Sequence, residues 1–132
     1  MTTAERRLCT DGHLTGIGHA YIAFLNNAGK AINQDFEQDV PKIFAPACKK
    51  IVNGKSMFDT SDALGSYLWK AQEIYGKWRI HQDYHLYPST STRSIVINFI
   101  AETEHAQLLV IAILKIDIDG LITEIFEVDN IR

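Results

Sequence analysis

Three side chains able to move protons or hold a metal alternate along one stretch of the chain, His81, Asp83 and His85. In an extended strand that spacing puts all three on one face. Two neighbours about 7 Å apart could share an ion, but three in a row could not easily converge on it. The opposite phase carries Trp78, Ile80, Gln82, Tyr84 and Leu86. If that apolar phase faces the interior, the two histidines and the acid face solvent or a dimer surface. Gln82, in the apolar phase, and Asn98, alone among apolar neighbours from Ile95 to Ala101, raise a common question. A buried amide must be paired, so each bonds either a ligand or a backbone group. His19 either titrates near neutral pH in a site or lies on a helix surface. His13 and His105 read as loop or strand-end residues. Asp117-x-Asp119-Gly120 has the opening of a calcium loop but not the remaining ligands, and a hairpin turn accounts for it. There is no Cys-x-x-Cys, no phosphate-binding glycine loop and no nucleophile elbow around a serine or cysteine. The expectation is that neither a metal nor a cofactor is used.

The elements that must position these residues are legible from periodicity. From His13, apolar residues fall at Leu14, Ile17, Tyr21, Phe24, Leu25 and Ala28, one face of a helix with Gly29 as its stop. A second, shorter helix is expected within Ile32 to Ala45, with Pro41 in its first turn after Asp39 and Pro46 ending it. Asn53-Gly54 between Lys50-Ile51-Val52 and Ser56-Met57-Phe58 signals a hairpin. The Asp59-Thr60-Ser61-Asp62 cluster then reads as the cap of a helix bearing Leu64, Tyr67, Leu68, Ala71, Ile74 and Tyr75, with Gly76 closing it in a left-handed conformation. After Gly76 the period falls to two. Strands are expected over 78–87, 95–101, 105–117 and 121–129, with a loop over 88–92 and a tight turn at Asp119-Gly120. Helices followed by a strand meander indicate an α+β fold with helices on one face of an antiparallel sheet. The strands around Ile95–Ile100 and Leu108–Leu114 are apolar on both faces, and three helices cover only one. The simplest second cover is another copy of the sheet, so a symmetric homodimer is expected.

Bulk properties bound the rest. The 132 residues make one domain, 1–132, with 1–12 as a loose polar lead-in. The net charge of −3 is scattered without a basic stripe, so no nucleic-acid partner is expected. The longest nearly apolar run, Leu108–Leu114, is seven residues, against about twenty for a membrane span. No signal-peptide core follows Met1. With Cys9 and Cys48 as two reduced thiols, the expected location is cytoplasmic, with no membrane partner.

The chain resembles the nuclear-transport-factor-2-like superfamily, which includes SnoaL-like polyketide cyclases, ketosteroid isomerases and limonene epoxide hydrolases. The resemblance runs through Ala20-Tyr21-Ile22-Ala23-Phe24-Leu25-Asn26, Ile43-Phe44-Ala45-Pro46 and Ile74-Tyr75-Gly76 before Trp78. It continues through Leu114-Lys115-Ile116-Asp117 to Gly120-Leu121-Ile122. Together these span nearly the whole chain, and their order carries it. It implies a cystatin-like α+β cone: a curved antiparallel or mixed sheet wrapped around the N-terminal helices, enclosing an apolar pocket for a small organic ligand.

The chemistry the resemblance implies matches only in part. Tyr21 falls where the superfamily has a helix-one tyrosine, read either as a hydroxyl donor into the pocket or as a core tyrosine. The steroid-isomerase base should follow Phe44, yet no Asp or Glu stands between Phe44 and Phe58. Counting back from Gly120 places the oxyanion acid at Leu109. Glu127 matches the acid that epoxide hydrolases carry beyond the hairpin glycine, and Asp129 shares its face at strand spacing. The expected protein is a SnoaL-like small-molecule binder, with Tyr21 and Glu127 as the candidate catalytic pair. Trp78, Gln82, Tyr84, Asn98 and Leu109 are the expected ligand-binding residues. Its activity would be cofactor-free isomerisation, cyclisation or hydration. The alternative is a non-enzymatic ligand- or protein-binding dimerisation module of the same fold.

Overall fold

The computed structural model describes residues 10–30 and 38–132. Helix α1 (Asp11–Ala28) is followed by a single turn, α2 (Val40–Ile43), then strands β1 (Phe44–Val52) and β2 (Lys55–Phe58). A 3₁₀ turn (Ser61–Ala63) leads into α3 (Leu64–Tyr75). The remaining strands are β3 (Trp78–Ile80), β4 (His85–Ser89), β5 (Ser94–Thr103), β6 (Gln107–Ile116) and β7 (Ile122–Ile131). They form one open sheet in the order β2-β1-β7-β6-β5-β3, with β4 also on β5. β1 runs parallel to β7 and every other pairing is antiparallel. The sheet is therefore mixed, and α1 packs against β3, β4 and β5 on one of its faces.

Local chemistry explains most boundaries. Thr10 caps α1 by accepting from His13 N at 3.1 Å. Its buried face is Leu14, Gly18, Tyr21, Ile22, Phe24, Leu25 and Ala28, the stripe the spacing predicts. The last carbonyls of α1, which have no partners within the helix, are taken by side chains. Trp78 Nε1 donates to Leu25 O at 2.9 Å and Gln72 Nε2 to Ala28 O at 2.6 Å. Gly29 ends the helix under Trp78, whose N–H reaches Gly29 O at 3.2 Å. The Asn53-Gly54 hairpin forms with positive φ at both residues, 50° and 80°. Gly76, at φ 74° and ψ −160°, occupies backbone space open almost only to glycine, but not the left-handed helical region expected of it. Asp117 Oδ1 accepts from Asp119 N and Leu121 N, both at 2.9 Å, which builds the last turn.

Several boundaries differ from expectation. The lead-in falls largely outside the described residues, as do Ile32 and Phe36. The helix expected over 32–45 is described only as Val40–Ile43, and Pro46 stands inside β1 at an exposed position rather than ending a helix. The Asp59–Asp62 cluster makes no side-chain cap, because a 3₁₀ turn tightens the start of α3 instead. The strand expected over 78–87 is two strands. Ile80 pairs with Ala101 and His85 with Asn98, which leaves two extra residues on this side of the ladder. An even excess preserves the phase, so Trp78, Ile80, Tyr84 and Leu86 still pack on or against the core while Gln82 and Asp83 spill into an exposed turn. β4 runs on through Pro88 and Ser89, so the loop begins two residues late. No helix among the described residues is long and apolar enough to cross a membrane.

A methyl group on Gly29 would overlap the Trp78 carbonyl and ring. Gly29→Ala is expected to cost about 2 kcal/mol, within the overpacking range. Denaturant unfolding should show a lower midpoint with an unchanged slope.

Candidate functional site

β1 alternates Cys48, Lys50 and Val52 on its buried side. β7 alternates Ile125 and Glu127 on its own buried side, with Asp129 beyond them in the same phase. Parallel pairing sets Lys50 opposite Ile125 and Val52 opposite Glu127, so Lys50 and Glu127 are diagonal neighbours on one face. Lys50 Nζ lies 3.4 Å from Glu127 Oε1, with the two side chains only 5% and 8% exposed. The ammonium also sits 4.6 Å from the ring centroid of Tyr67 on α3. Burial works to lower the Lys50 pKa, but Glu127, then Tyr21 and Tyr67, outweigh it, and the net shift is upward. Lys50 is an ammonium at neutral pH, a donor rather than a nucleophile.

Tyr21 approaches from α1, its ring edge-on to Phe44 at 6.1 Å between centroids. Burial, and then the negative charge of Glu127 against the opposing pull of Lys50, hold its hydroxyl well above the usual tyrosine range. It remains a neutral O–H, with no hydrogen-bond partner among the described residues. Burial likewise pushes the Cys48 thiol up to about 11, so it is no nucleophile at neutral pH. Asn53, in the β1–β2 turn, fixes the register. Its backbone N–H donates to Glu127 O at 2.9 Å. Its amide gives Nδ2 to Asp129 Oδ1 at 2.8 Å and accepts from Asp129 N at 3.1 Å.

Several of these groups stand at the polar end of a small cavity, about 80 Å³, that opens to solvent. Lys50, Glu127, Asp129 and Tyr67 stand at that end, and Leu25, Leu68, Trp78, Ile80, Phe99 and Val110 supply apolar walls. Its lining is mostly apolar, with the charged groups gathered at one end.

The sequence-derived residues divide between this cavity and elsewhere. Glu127 and Trp78 line it, and Tyr21 is buried beside its charged pair. Tyr84 packs on the core, with its hydroxyl 2.6 Å from His19 Nδ1. Gln82 is exposed in the β3–β4 turn. Leu109 is 42% exposed on the opposite face of the sheet, because its neighbours Leu108 and Val110 occupy the buried phase of β6. The position counted back from Gly120 therefore faces away from the cavity, because alternate residues of a strand face opposite sides. Asn98 also stands in that outer phase, opposite Ile111 and His85, with Oδ1 buried and unpartnered among the described residues. His81 pairs with Glu102 at 3.3 Å, Asp83 is exposed, and His85 stacks on Tyr87. Among the described residues no three metal-ligating side chains converge. Sequence reasoning missed Lys50 and Tyr67 as site residues. The signal for Lys50 was present, a charge in the apolar phase of a strand.

No family model matches the sequence, and neither does any curated protein. Solved structures do match. The epoxide hydrolase/cyclase-like enzyme SalBIII, described for its role in pyran ring formation in the polyether salinomycin, superposes with TM-score 0.72 at 14% identity, covering 92% of this chain and 94% of its own. An NTF2-like protein of unknown function from Exiguobacterium sp. gives 0.68 at 12% identity, covering 86% and 98%. A SnoaL-like family protein from Agrobacterium tumefaciens gives 0.64 at 10% identity, covering 88% and 96%. The fold is thus that of SnoaL-like and NTF2-like proteins, a cystatin-like α+β cone.

Lys50→Met should destabilise by about 3–5 kcal/mol, because it strands a buried carboxylate, and adding Glu127→Leu should restore much of that loss. A folded pKa raised above the unfolded value gives stability that is present below the unfolded pKa and lost as pH rises. Tyr21, Cys48 and Lys50 all shift upward from 10.0, 9.0 and 10.5. The unfolding free energy should therefore fall above about pH 9 and fall less steeply in the double variant, as pH-dependent urea titrations would read.

Proposed function

We propose that the protein binds a small, mostly apolar organic molecule in its cone and acts on it by cofactor-free acid–base chemistry at the Lys50–Glu127 pair. The observation that carries this reading is the pair itself, a buried charge pair in the wall of a largely apolar cavity. Replacing such a pair by apolar residues is often neutral or stabilising, so its presence calls for a role beyond stability.

The fitting reaction is proton transfer next to a carbonyl or similar oxygen. Glu127 takes a proton from the substrate, and the electron pair left behind moves onto the oxygen. The Lys50 ammonium and the Tyr67 hydroxyl stabilise the developing negative charge. The carboxylic acid formed on Glu127 returns the proton at a second position, giving an isomer; alternatively the enolate carbon adds to a second carbonyl of the substrate, whose π pair moves to its oxygen and takes the proton from Glu127, giving a ring. Tyr21 supplies a further neutral hydroxyl beside the pair. The steroid-isomerase arrangement is not reproduced, since the stretch between Phe44 and Phe58 carries Lys50 and no carboxylate, and Leu109 stands at the position counted for the oxyanion acid.

A second reading, a non-enzymatic ligand- or protein-binding dimerisation module, draws on the other face of the sheet. There Leu109, Ile111, Ile113 and Val128 are between 37% and 54% exposed, at adjacent positions of β6 and β7. A self-complementary apolar face of this kind suits a twofold sheet-to-sheet homodimer. Dimerisation is compatible with either reading of the cone.

Native mass spectrometry of freshly purified protein should give a dimer carrying a defined extra mass, which identifies the ligand. With that ligand or its close analogues, Glu127→Gln should lower turnover by about 10²–10⁴-fold with little change in binding. Binding with no turnover in the unmodified protein would leave the second reading. Ile111→Lys should convert a dimer to a monomer in light scattering; an unaltered mass would exclude the sheet face as the interface.

A further inference from the structure

The cone's charge inventory selects among ligands. Lys50 is already engaged, by Glu127 on one side and Tyr67 on the other. Asp129 differs. It lines the same cavity and has no cationic partner among the described residues. Only its Oδ1 is held, by the Asn53 amide, so Oδ2 is free for a ligand. Asn53 fixes that carboxylate through both main chain and side chain, so it is presented without further ordering cost. The lining charges sum to one excess negative, from Lys50, Glu127 and Asp129. Tyr75 and Trp78 line the same cavity, and aromatic faces attract cations.

We infer that Asp129 is a recognition carboxylate and that the ligand is a small apolar amine bound as its ammonium ion. The ammonium sits against Asp129 Oδ2 and the aromatic wall. Alternate strand residues are about 7 Å apart, so the reacting part of the same molecule lies one side chain deeper, at Glu127. A neutral ligand forgoes the Asp129 charge. A carboxylate ligand meets an excess of negative charge in a site where water cannot screen it fully.

The inference rests on the cone being the ligand site but not on turnover. Its test uses three probes of similar shape: 2-phenylethylamine, 2-phenylethanol and 3-phenylpropionate. Each is titrated calorimetrically at pH 7 into the full chain and into Asp129→Asn, which keeps the oxygen that Asn53 holds. The amine should bind at least about tenfold more tightly than the alcohol, in line with a charge-assisted hydrogen bond, and the carboxylate most weakly. Asp129→Asn should erase the amine preference and leave alcohol binding unchanged. Equal binding of amine and alcohol, or a preference that survives Asp129→Asn, overturns the amine assignment while leaving the cone as a ligand site. Failure of all three probes to bind overturns both. Thermal melting of Asp129→Asn, expected to match the unmodified chain, separates loss of recognition from loss of fold.

Discussion

The buried ion pair between Lys50 and Glu127 constrains the structure around it. Removing two charges from water costs several kcal/mol each even after relaxation, and the cost is recovered only with close geometry and satisfied neighbours. The neighbours bear this out. Tyr67 from α3 covers the ammonium, Asn53 ties the β1–β2 turn to β7 at Glu127 and Asp129, and the parallel pairing of β1 with β7 brings the two chains into diagonal register. Slip either strand by one residue and its charge turns to the far face, away from its partner.

The pair also places ionisable groups in the cone although the expected acids are absent. The stretch 45–57 holds no carboxylate, but it holds a lysine in the buried phase. A carboxylate on β7 and an ammonium on β1 meet from adjacent strands inside the cone, where electrostatic interactions are stronger than in water.

The two faces of the sheet do different work because strand alternation sorts them. Along β6, Leu108, Val110, Ala112, Leu114 and Ile116 are buried in the cone and its core, while Leu109, Ile111 and Ile113 are exposed on the outside. A strand apolar in both phases commits both faces to burial, and α1 and α3 lie on only one. The lining of the cone and the exposed apolar outer face therefore draw on alternate residues of the same strands.

Much of this was legible in the sequence. The helical stripe from Leu14 to Ala28, the Asn53-Gly54 turn, Gly76 and the Asp117 turn follow from local periodicity and glycine chemistry, which act over a few residues. So do the α+β order and the placing of Glu127 and Asp129 on one face. What only the tertiary structure decided depends on pairing between distant segments. The two-residue excess that ejects Gln82 arises where β3 and β4 meet β5. The phase that turns Leu109 outward is set by which face of β6 meets the helices. The meeting of Lys50 with Glu127 requires β1 to lie parallel beside a strand 77 residues further along the chain. Local sequence sets each residue's phase within its own element. Long-range pairing sets which phases meet, and the site is made of such meetings.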